Sequence, residues 1–473
     1  MTSAPPAAGP AAALTSALER VAAGESGQLA RLAEFVRIPS VSADPAHAAD
    51  VAAAADWLAG ELRRIGLEHV EVHPTPLHPI VTADWLHAGP DAPTVLVYGH
   101  VDVQPVEPLE AWTSPPFELT ERDGRLYARG STDDKGQLYM HIAAVEAMFA
   151  AGGGRLPCNL RFLSDGEEEI GSPSLAAFLD AHPDLIAADV ALVSDSPMYA
   201  HGVPSVGYAL RGLCYVEVSV ETAATDLHSG QFGGAVPNAA QVLVDMLATL
   251  HDADGRVTVP GFYESVAPVP DAERAALGGL PFDEPGWLAA VGAAVGCGES
   301  GYSTLERTWI RPTLELNGLT SGHQGSGPKT IVPARASAKV SCRLVPDQRP
   351  EEVGALVSAH LTSLAPPGAR VTATASSSTG PAVTPTDDPA VRTAVAALRT
   401  AFGAEPYLIR DGGAIPAVAL LQDLLGIRSV LLGFGCPDEN KHGPDEWLSL
   451  EHYRRGLETL VRFWHDLAEE KTR

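Results

Sequence analysis

The stretch LVYGHVDVQP, residues 96–105, decides the fold and points to the site. Its first residues form an apolar run that is typical of a buried strand. The run ends at His100, and Asp102 follows two residues later. In an open α/β sheet, ligands bind beyond the carboxyl ends of the strands. A histidine and an aspartate at such an end therefore predict a functional site.

Strand-like and helix-like segments alternate on both sides of this stretch. Two helical patterns precede it, at residues 14–36 and 48–65, and the second stops at Gly66. From there to about residue 205, strand patterns and helix patterns follow one another. This alternation predicts a mostly parallel sheet that is flanked by helices.

The middle of the chain has a different pattern. Residues 206–386 contain two alternating, half-buried strand patterns, each followed by a helix-like run, and this arrangement favours a compact α+β domain. A chain of 473 residues is too long for one ordinary core. We therefore predict an α/β domain formed by residues 1–205 and 387–473, with a smaller α+β domain, residues 206–386, inserted into it.

Charge and cysteine content limit the partners and the compartment. The formal net charge of -27 argues against nucleic acid and against anionic membrane surfaces, because binding to phosphates requires lysine and arginine. Five scattered cysteines without a CxxC pair are typical of reduced thiols, so we expect a cytoplasmic protein. Residues 1–20 lack the charged start and apolar core of a signal peptide, and no later apolar run is long enough to span a membrane.

Four more strand-like runs end on residues that can bind metal. Taken alone, each of these strand ends can be explained as a surface histidine, an acidic turn or a helix N-cap. Five such ends at one edge of a sheet predict a metal site. The further residues are Asp133, Glu168, Glu169, Asp195 and His442.

The residue types indicate which chemistry this site performs. Imidazole and carboxylate without thiolate suit zinc, cobalt or manganese, and the surplus of carboxylates predicts two ions that share a bridge. Asp102 can accept a hydrogen bond from the second ring nitrogen of His100 and so orient the ring. Of Glu168 and Glu169, one can bind metal while the other moves a proton. His141, on an apolar helical face, is interpreted as a core or surface histidine.

Other catalytic motifs are excluded. The chain has neither HExxH nor GxSxG. The segment GHQGSGPKT is not a phosphate-binding loop, because Pro328 stands where the lysine should follow the second glycine.

Nine motifs occur in a characteristic order between residues 98 and 447. They are GHVDVQP, YARGSTDDKG, GEEEIGS, VSDSP, DLHSGQFGG, GSGPKTIVPA, SCRLVP, RDGGAIP and NKHGPDEW. With these motifs the chain resembles the M20 family of metallopeptidases, and most of all its branch of cytosolic dipeptidases and carnosinases.

The resemblance implies a role for each residue of the metal site. One ion would be held by His100 and Asp195 and the other by Glu169 and His442, with Asp133 bridging them. Asp102 would be the orienting carboxylate and Glu168 the general base. The peptide bond after Asp133 is cis in many relatives.

The resemblance also implies the reaction. The enzyme would cleave dipeptides that have a free C-terminal carboxylate, with a metal-activated water as the nucleophile. Its cofactors would be two divalent ions, zinc being expected and manganese or cobalt being the alternatives.

The inserted domain is expected to be a lid that also forms a homodimer. His228 in DLHSG would then reach the active site of the partner subunit. The substrate would be bound by Arg343, Thr330, Gly412 and Gly413. Without the resemblance, Arg343 would be interpreted as a surface arginine on a strand.

Two departures from the family pattern leave the substrate preference open. Relatives often have serine where this chain has Ala414, and the segment near Ser376 lacks a histidine that some carnosinases have there. An N-acyl amino acid deacylase with the same metal site is the alternative function, although DLHSGQFGG and Arg343 favour a dipeptidase. A non-catalytic binding protein is disfavoured by the complete ligand set and by Glu168.

Overall fold

A computed structural model gives the fold and describes residues 9–470, with the exception of the side chain of Ser377. Residues 1–8 lie outside the described residues. They are the first part of residues 1–20, for which the sequence predicts no signal peptide. The strands are β1 (Glu68–His73), β2 (Ile80–Trp85), β3 (Thr94–His100), β4 (Thr120–Arg122), β5 (Arg125–Tyr127), β6 (Asn159–Asp165), β7 (Val190–Val193), β8 (Ser205–Leu210), β9 (Gly212–Glu221), β10 (Leu227–His228), β11 (Thr313–Ser321), β12 (Ile331–Val332), β13 (Arg335–Leu344), β14 (Arg370–Thr379), β15 (Ala382–Val383), β16 (Tyr407–Asp411), β17 (Arg428–Leu431) and β18 (Trp447–Ser449).

The helices are α1 (Pro10–Ala23), α2 (Glu25–Val36), α3 (Ala48–Ile65), α4 (Lys135–Ala151), α5 (Leu175–Ala181), α6 (Pro183–Ile186), α7 (Ser229–Phe232), α8 (Ala239–Leu247), α9 (Asp271–Gly278), α10 (Glu284–Ala290), α11 (Thr304–Trp309), α12 (Pro350–Ser363), α13 (Pro389–Phe402), α14 (Pro416–Leu425) and α15 (Leu450–Glu470). Short 3-10 helices occur at Pro45–His47, Leu109–Ala111 and Glu168–Ile170. Among the described helices, none combines the length and the apolar character that crossing a membrane requires.

The chain divides into two compact units. The first contains the described parts of Met1–Tyr208, Val383–Ile409 and Pro416–Arg473, and the second contains Ala209–Ala382 and Arg410–Ile415. The short segment Arg410–Ile415 therefore belongs with the inserted part of the chain. A hydrogen bond from Arg211 Nε to the carbonyl oxygen of Gly412, 3.2 Å long, attaches it there.

The large sheet of the first unit has the strand order β1-β2-β6-β3-β7-β17-β8-β15, and β16 pairs with β8. Its central strands are parallel, because β3 pairs in parallel with both β6 and β7, and β17 pairs in parallel with β7. The outer pairs β1 with β2 and β2 with β6 are antiparallel. The prediction of a mostly parallel α/β sheet with helices is confirmed.

The core of the first unit explains how its helices are placed. Helix α4 is apolar on all sides and is buried along nearly its whole length, with α1 and α15 packed against it. The helix predicted at residues 48–65 is confirmed as α3, which ends at the left-handed Gly66 with φ 104°. The helix predicted at residues 14–36 is instead two helices, because the helix is interrupted at Gly24, a residue of low helix propensity.

The second unit is built on an antiparallel sheet with the order β11-β13-β9-β14. Helices α8 and α12 cover one face of this sheet, where Val216, Val218 and Val340 are fully or almost fully buried. A two-stranded sheet of β10 and β12 carries His228. The second unit thus has the α+β composition that the sequence indicates.

Candidate metal centre

The metal centre lies at the carboxyl edge of the parallel strands. Strand β3 ends at His100, which is in register with Asp165, the last residue of β6. Glu168 and Glu169 follow β6, and Asp195 follows β7 after one further residue. Because these strands run in the same direction, their last residues meet at one edge.

Asp133 stands between the two histidines. Its Oδ1 lies 3.2 Å from His100 Nε2, and its Oδ2 lies 3.0 Å from His442 Nε2. Each carboxylate oxygen therefore faces a different imidazole. This is the arrangement that a bridging ligand between two ions requires. The peptide bond between Asp133 and Asp134 is cis, as the resemblance implies.

The other carboxylates complete two groups of possible ligands. Glu169 Oε2 lies 3.3 Å from His442 Nε2, and Asp195 Oδ2 lies 3.8 Å from His100 Nε2. Ligand atoms that share an ion at about 2.0–2.2 Å are expected to be this close to one another. Glu169 Oε1 is buried and has no hydrogen-bond partner, so a ligating oxygen remains there. The donor set fits two divalent ions.

Both the backbone carbonyl group and the carboxylate of Asp102 lie near the second ring nitrogen of His100. The Nδ1 atom of His100 lies 3.0 Å from the backbone carbonyl oxygen of Asp102 and 3.4 Å from its Oδ1. The carboxylate of Asp102 also accepts the backbone N–H groups of Glu168 (3.2 Å) and Glu169 (3.0 Å). Asp102 therefore fixes both the ring and the turn that carries the two glutamates.

Burial and neighbouring charges shift the pKa values of Glu168 and Asp133 in opposite directions. Burial raises the pKa of Glu168, and the charges of Asp195 and Glu169 act in the same direction, while His100 opposes them. Burial also acts to raise the pKa of Asp133, but Lys441 and the two histidines outweigh it and hold that pKa well below its usual range. Asp133 thus remains an anion, whereas the Glu168 carboxylate holds a proton more tightly than an exposed glutamate does.

A family model for peptidase family M20/M25/M40 matches residues 96–466. The chain belongs to this family. Among curated proteins, the Cys-Gly metallodipeptidase dug1 of Schizosaccharomyces pombe is 33% identical over 454 residues, which cover 93% of this chain and 95% of that protein. The human Beta-Ala-His dipeptidase is 32% identical over 399 residues, 83% of this chain and 78% of that protein.

The similarity extends to solved structures. The M20 family metallo-carboxypeptidase Sso-CP2 of Sulfolobus solfataricus matches with a TM-score of 0.84 and 30% sequence identity, covering 93% of this chain and 99% of that chain. The predicted membership of the M20 family is therefore confirmed. The names of the curated relatives favour the dipeptidase prediction over the deacylase alternative.

Glu446, which was not among the predicted site residues, holds the loop that carries Asp133 in this M20 chain. Its Oε1 accepts the backbone N–H groups of Thr132 (2.9 Å) and Asp133 (3.1 Å). Its Oε2 accepts Gly130 N–H (3.1 Å) and Arg129 Nη1 (2.6 Å). One fully buried carboxylate thus receives four donors. Its place in the NKHGPDEW motif was the available signal.

We expect Glu446→Gln to lower the free energy of unfolding of the metal-free protein by about 3–5 kcal/mol, the usual cost of breaking a buried ion pair. An amide presents N–H groups to backbone donors and leaves Arg129 without a counter-charge. Asp445→Asn is the matched control. Asp445 is 24% exposed and pairs with Arg122, so this substitution should lower the free energy of unfolding by at most about 1 kcal/mol. Urea unfolding in the presence of a chelator measures both, and equal effects would contradict the prediction.

His201, Cys436 and His452 form a third group of possible ligands, in which the ring of His201 packs on that of His452. The Nε2 atom of His452 accepts Gly202 N–H at 3.1 Å, so the ring proton is on Nδ1. That Nδ1 lies 3.0 Å from the carbonyl oxygen of Phe434 and 3.3 Å from Cys436 Sγ. Neither ring nitrogen has a lone pair left for an ion. We therefore interpret this cluster as structural.

The same cluster predicts acid sensitivity. Burial lowers the pKa of His452 to about 4, so below pH 6.5 the unfolded chain takes up a proton that the folded chain does not. The contribution of His452 to stability is complete above pH 6.5 and is lost as the pH falls, by about 1.4 kcal/mol per pH unit until the folded value is reached. Between pH 7 and pH 5, wild type should lose about 2 kcal/mol more than His452→Gln. Equal losses in urea unfolding would contradict this assignment.

His228 and Thr330 lie side by side in the second unit of this M20 chain. Strand β10 pairs His228 with Ile331 of β12, and the carbonyl oxygen of Thr330 accepts Ser229 N–H at 3.0 Å. The backbone N–H of Gly230 donates to His228 Nδ1 at 3.1 Å. His228 is exposed at the start of α7.

The other predicted substrate-binding residues are also in the second unit. Arg343 lies on β13 and forms no ion pair within the described part of the chain. Gly412 must be glycine, because a Cβ there would lie 2.8 Å from the carbonyl oxygen of Thr308. Arg211 was not among the predicted residues, and its pKa is lowered to about 10 by burial and by the charge of Arg343. Gly413 donates its N–H to Asp411 Oδ1 at 2.7 Å.

His141, left open as a core or surface histidine, is a core residue. It is fully buried on α4, and its Nε2 lies 2.8 Å from Ser194 Oγ.

Proposed function

We propose that this M20 chain is a metallodipeptidase that hydrolyses dipeptides with a free C-terminal carboxylate. The observation that carries the proposal is the position of Asp133, whose two oxygens face two different histidines. The curated relatives named as a metallodipeptidase and a dipeptidase support this substrate class.

Two divalent ions would occupy the centre, zinc being expected and manganese or cobalt being the alternatives. His100 and Asp195 would hold one, Glu169 and His442 the other, and Asp133 would bind both. When bound, such a pair lowers the pKa of water and polarises the scissile carbonyl. The support for this assignment is the pairing of ligand atoms in two groups, each within 4.8 Å.

Glu168 is the proposed general base. Its carboxylate lies within 4.8 Å of the ligand atoms of His100 and Asp195, so it can reach a water at that side of the centre. Its backbone is fixed by Asp102. It would take the proton of the attacking water and return a proton to the leaving amine.

His228 is the proposed oxyanion donor. Because Nδ1 accepts Gly230 N–H, the neutral ring carries its proton on Nε2, which is then available to donate. We expect His228→Ala to lower kcat by about 10²–10³-fold, as the loss of one oxyanion donor does elsewhere. The exposed side chain makes the fold insensitive to the change, so circular dichroism and metal content should be unaltered. Wild-type kcat in this variant would exclude the role.

We propose that the chain forms a homodimer in which His228 acts on the partner's site. The edge strand β11 exposes Leu316 (44%) and Leu319 (56%) beside an unpaired sheet edge, and this supports association there. Mixing Glu168→Gln with His228→Ala should restore about one quarter of the wild-type activity, because half of the dimers are mixed and each has one complete site. No recovery would contradict action across the dimer.

Arg343, Thr330, Gly412 and Gly413 would bind the substrate carboxylate. The support is that Arg343 has a charge without a partner in the described chain, close enough to Arg211 for their charges to interact. An arginine in this state is suited to bidentate recognition of a carboxylate. Amidation of the substrate's C-terminus should therefore raise KM.

The deciding experiment compares substrates on metal-stripped protein that is refilled with zinc or manganese. Dipeptides, N-acyl amino acids and longer peptides are assayed side by side. Rapid metal-dependent cleavage of dipeptides supports the proposal. Cleavage of N-acyl amino acids instead would establish the deacylase alternative, and preference for longer peptides would establish a carboxypeptidase. Absence of all activities would revive the non-catalytic alternative.

We propose a cytoplasmic location and no nucleic-acid or membrane partner. All five cysteines are free thiols, which suits a reducing compartment, and the net charge of -27 disfavours phosphate-rich surfaces. Recovery of the activity in a membrane or secreted fraction would contradict this location.

A further inference from the structure

Lys441 brings a cation to the carboxylates of the metal centre. Its Nζ donates to Asp195 Oδ1 at 3.1 Å and lies 4.0 Å from Asp133 Oδ2. Over residues 9–470, no other lysine or arginine forms an ion pair with Asp133, Glu169 or Asp195. The ammonium thus donates a hydrogen bond to Asp195 and lies farther from Asp133 Oδ2, the oxygen that faces His442.

The two carboxylates that would each hold one ion have different partners. Asp195 uses Oδ1 for the ammonium of Lys441, and only its Oδ2 faces His100. Glu169 receives a neutral donor, the Nε2 of Gln104, on Oε2 at 2.8 Å, while its Oε1 is buried without a hydrogen-bond partner. Glu169 Oε1 is therefore free to bind an ion. In Asp195, Oδ1 is hydrogen-bonded to Lys441, and only Oδ2 points towards His100.

We propose that Lys441 is a positioning residue that makes the two metal sites unequal, by confining Asp195 to one ligating oxygen and by weakening the ion held with His100. The inference rests on the proposed function, because it takes the two-ion centre as given. It concerns the relative affinity of the two sites, which neither the family nor the ligand set specifies.

Two physical effects act in the same direction. The ammonium repels a divalent cation, and this repulsion is weakly screened because the side chains of Lys441 and Asp195 are only 27% and 9% exposed. The hydrogen bond also occupies the oxygen that would allow Asp195 to bind an ion through both oxygens. Removal of the lysine side-chain charge therefore strengthens the site of His100 and Asp195.

The test is a zinc titration of metal-stripped protein in competition with a chromophoric chelator, without substrate. Wild type is expected to bind two ions with unequal Kd values. In Lys441→Met the weaker Kd should fall at least tenfold, and the stronger Kd should fall by a smaller factor. Lys441→Arg keeps the charge and should behave as wild type. Lys339→Met, at an exposed position of β13 in the second unit, removes a lysine elsewhere and should change neither Kd.

A spectrum provides a second readout. With Co²⁺ in place of zinc, a second oxygen from Asp195 raises the coordination number, so the visible absorption of Lys441→Met should be weaker than that of wild type. Unchanged or weaker binding in Lys441→Met overturns the inference, as does a Lys441→Arg variant that behaves like Lys441→Met. A wild type that binds fewer than two ions contradicts the proposed metal centre itself, which separates the two failures.

Discussion

Glu168→Gln is expected to lower kcat by about 10²–10⁴-fold and to leave two ions bound. Glutamine has nearly the same shape as glutamate but cannot accept the proton of the attacking water. The backbone contact of residue 168 with Asp102 is kept, so the turn remains in place. Stopped assays of dipeptide cleavage give kcat, and elemental analysis of the dialysed protein gives the metal content.

The neighbouring residue provides the matched control. Glu169 faces His442 and is assigned as a ligand, so Glu169→Gln should lose one of the two ions. The two variants change adjacent glutamates by the same chemical step, yet only one of them should alter the metal content. If Glu168→Gln loses an ion while Glu169→Gln retains both, the roles of the two glutamates are exchanged.

Asp133→Ala is expected to abolish activity and to remove both ions. Its Oδ1 faces His100 and its Oδ2 faces His442, so each site loses a ligand when the carboxylate is removed. Asp195→Ala is the control. Asp195 faces only one of the two histidines, His100, so its loss should remove one ion only. The ratio of metal to protein after dialysis distinguishes the two variants.

The fold should survive the loss of Asp133. Glu446 holds residue 133 through its backbone N–H, and that hydrogen bond does not need the side chain. An unchanged circular dichroism spectrum with no bound metal would support the bridging role. Retention of one ion in Asp133→Ala would show that the aspartate serves a single site.

The strand-end residues could be predicted because the relevant signal is local. An apolar run that stops at His100, and others that stop before Asp133, Glu168 or Asp195, can be recognised within about ten residues of sequence. The parallel sheet then brings the ends at His100, Glu168 and Asp195 to one edge, since all its central strands run in the same direction. The prediction that Asp133 also follows a strand of this sheet is wrong, because β5 ends at Tyr127 and belongs to a separate antiparallel sheet with β4 and β18.

The residues that support the site could not be found in this way. Glu446 holds residues 129–133 from more than 300 positions away in the chain, and Lys441 reaches Asp195 from a separation of 246 residues. Both residues lie in the NKHGPDEW motif, but nothing within that segment shows which distant groups a glutamate or a lysine contacts. The interruption at Gly24 was missed for a related reason, because the helical spacing continues through it.

The sequence by itself determined the α/β class, the order of the motifs, the family and the identity of the candidate metal ligands. Periodicity and residue type report burial and chemistry position by position, which is sufficient for these features. The tertiary structure alone decided which oxygen of Asp133 faces which histidine, that the carbonyl group of Asp102 also contacts the ring of His100, and that Glu446 and Lys441 lie beside the centre. Those features are distances between atoms of remote residues, and they exist only once packing has brought the segments together.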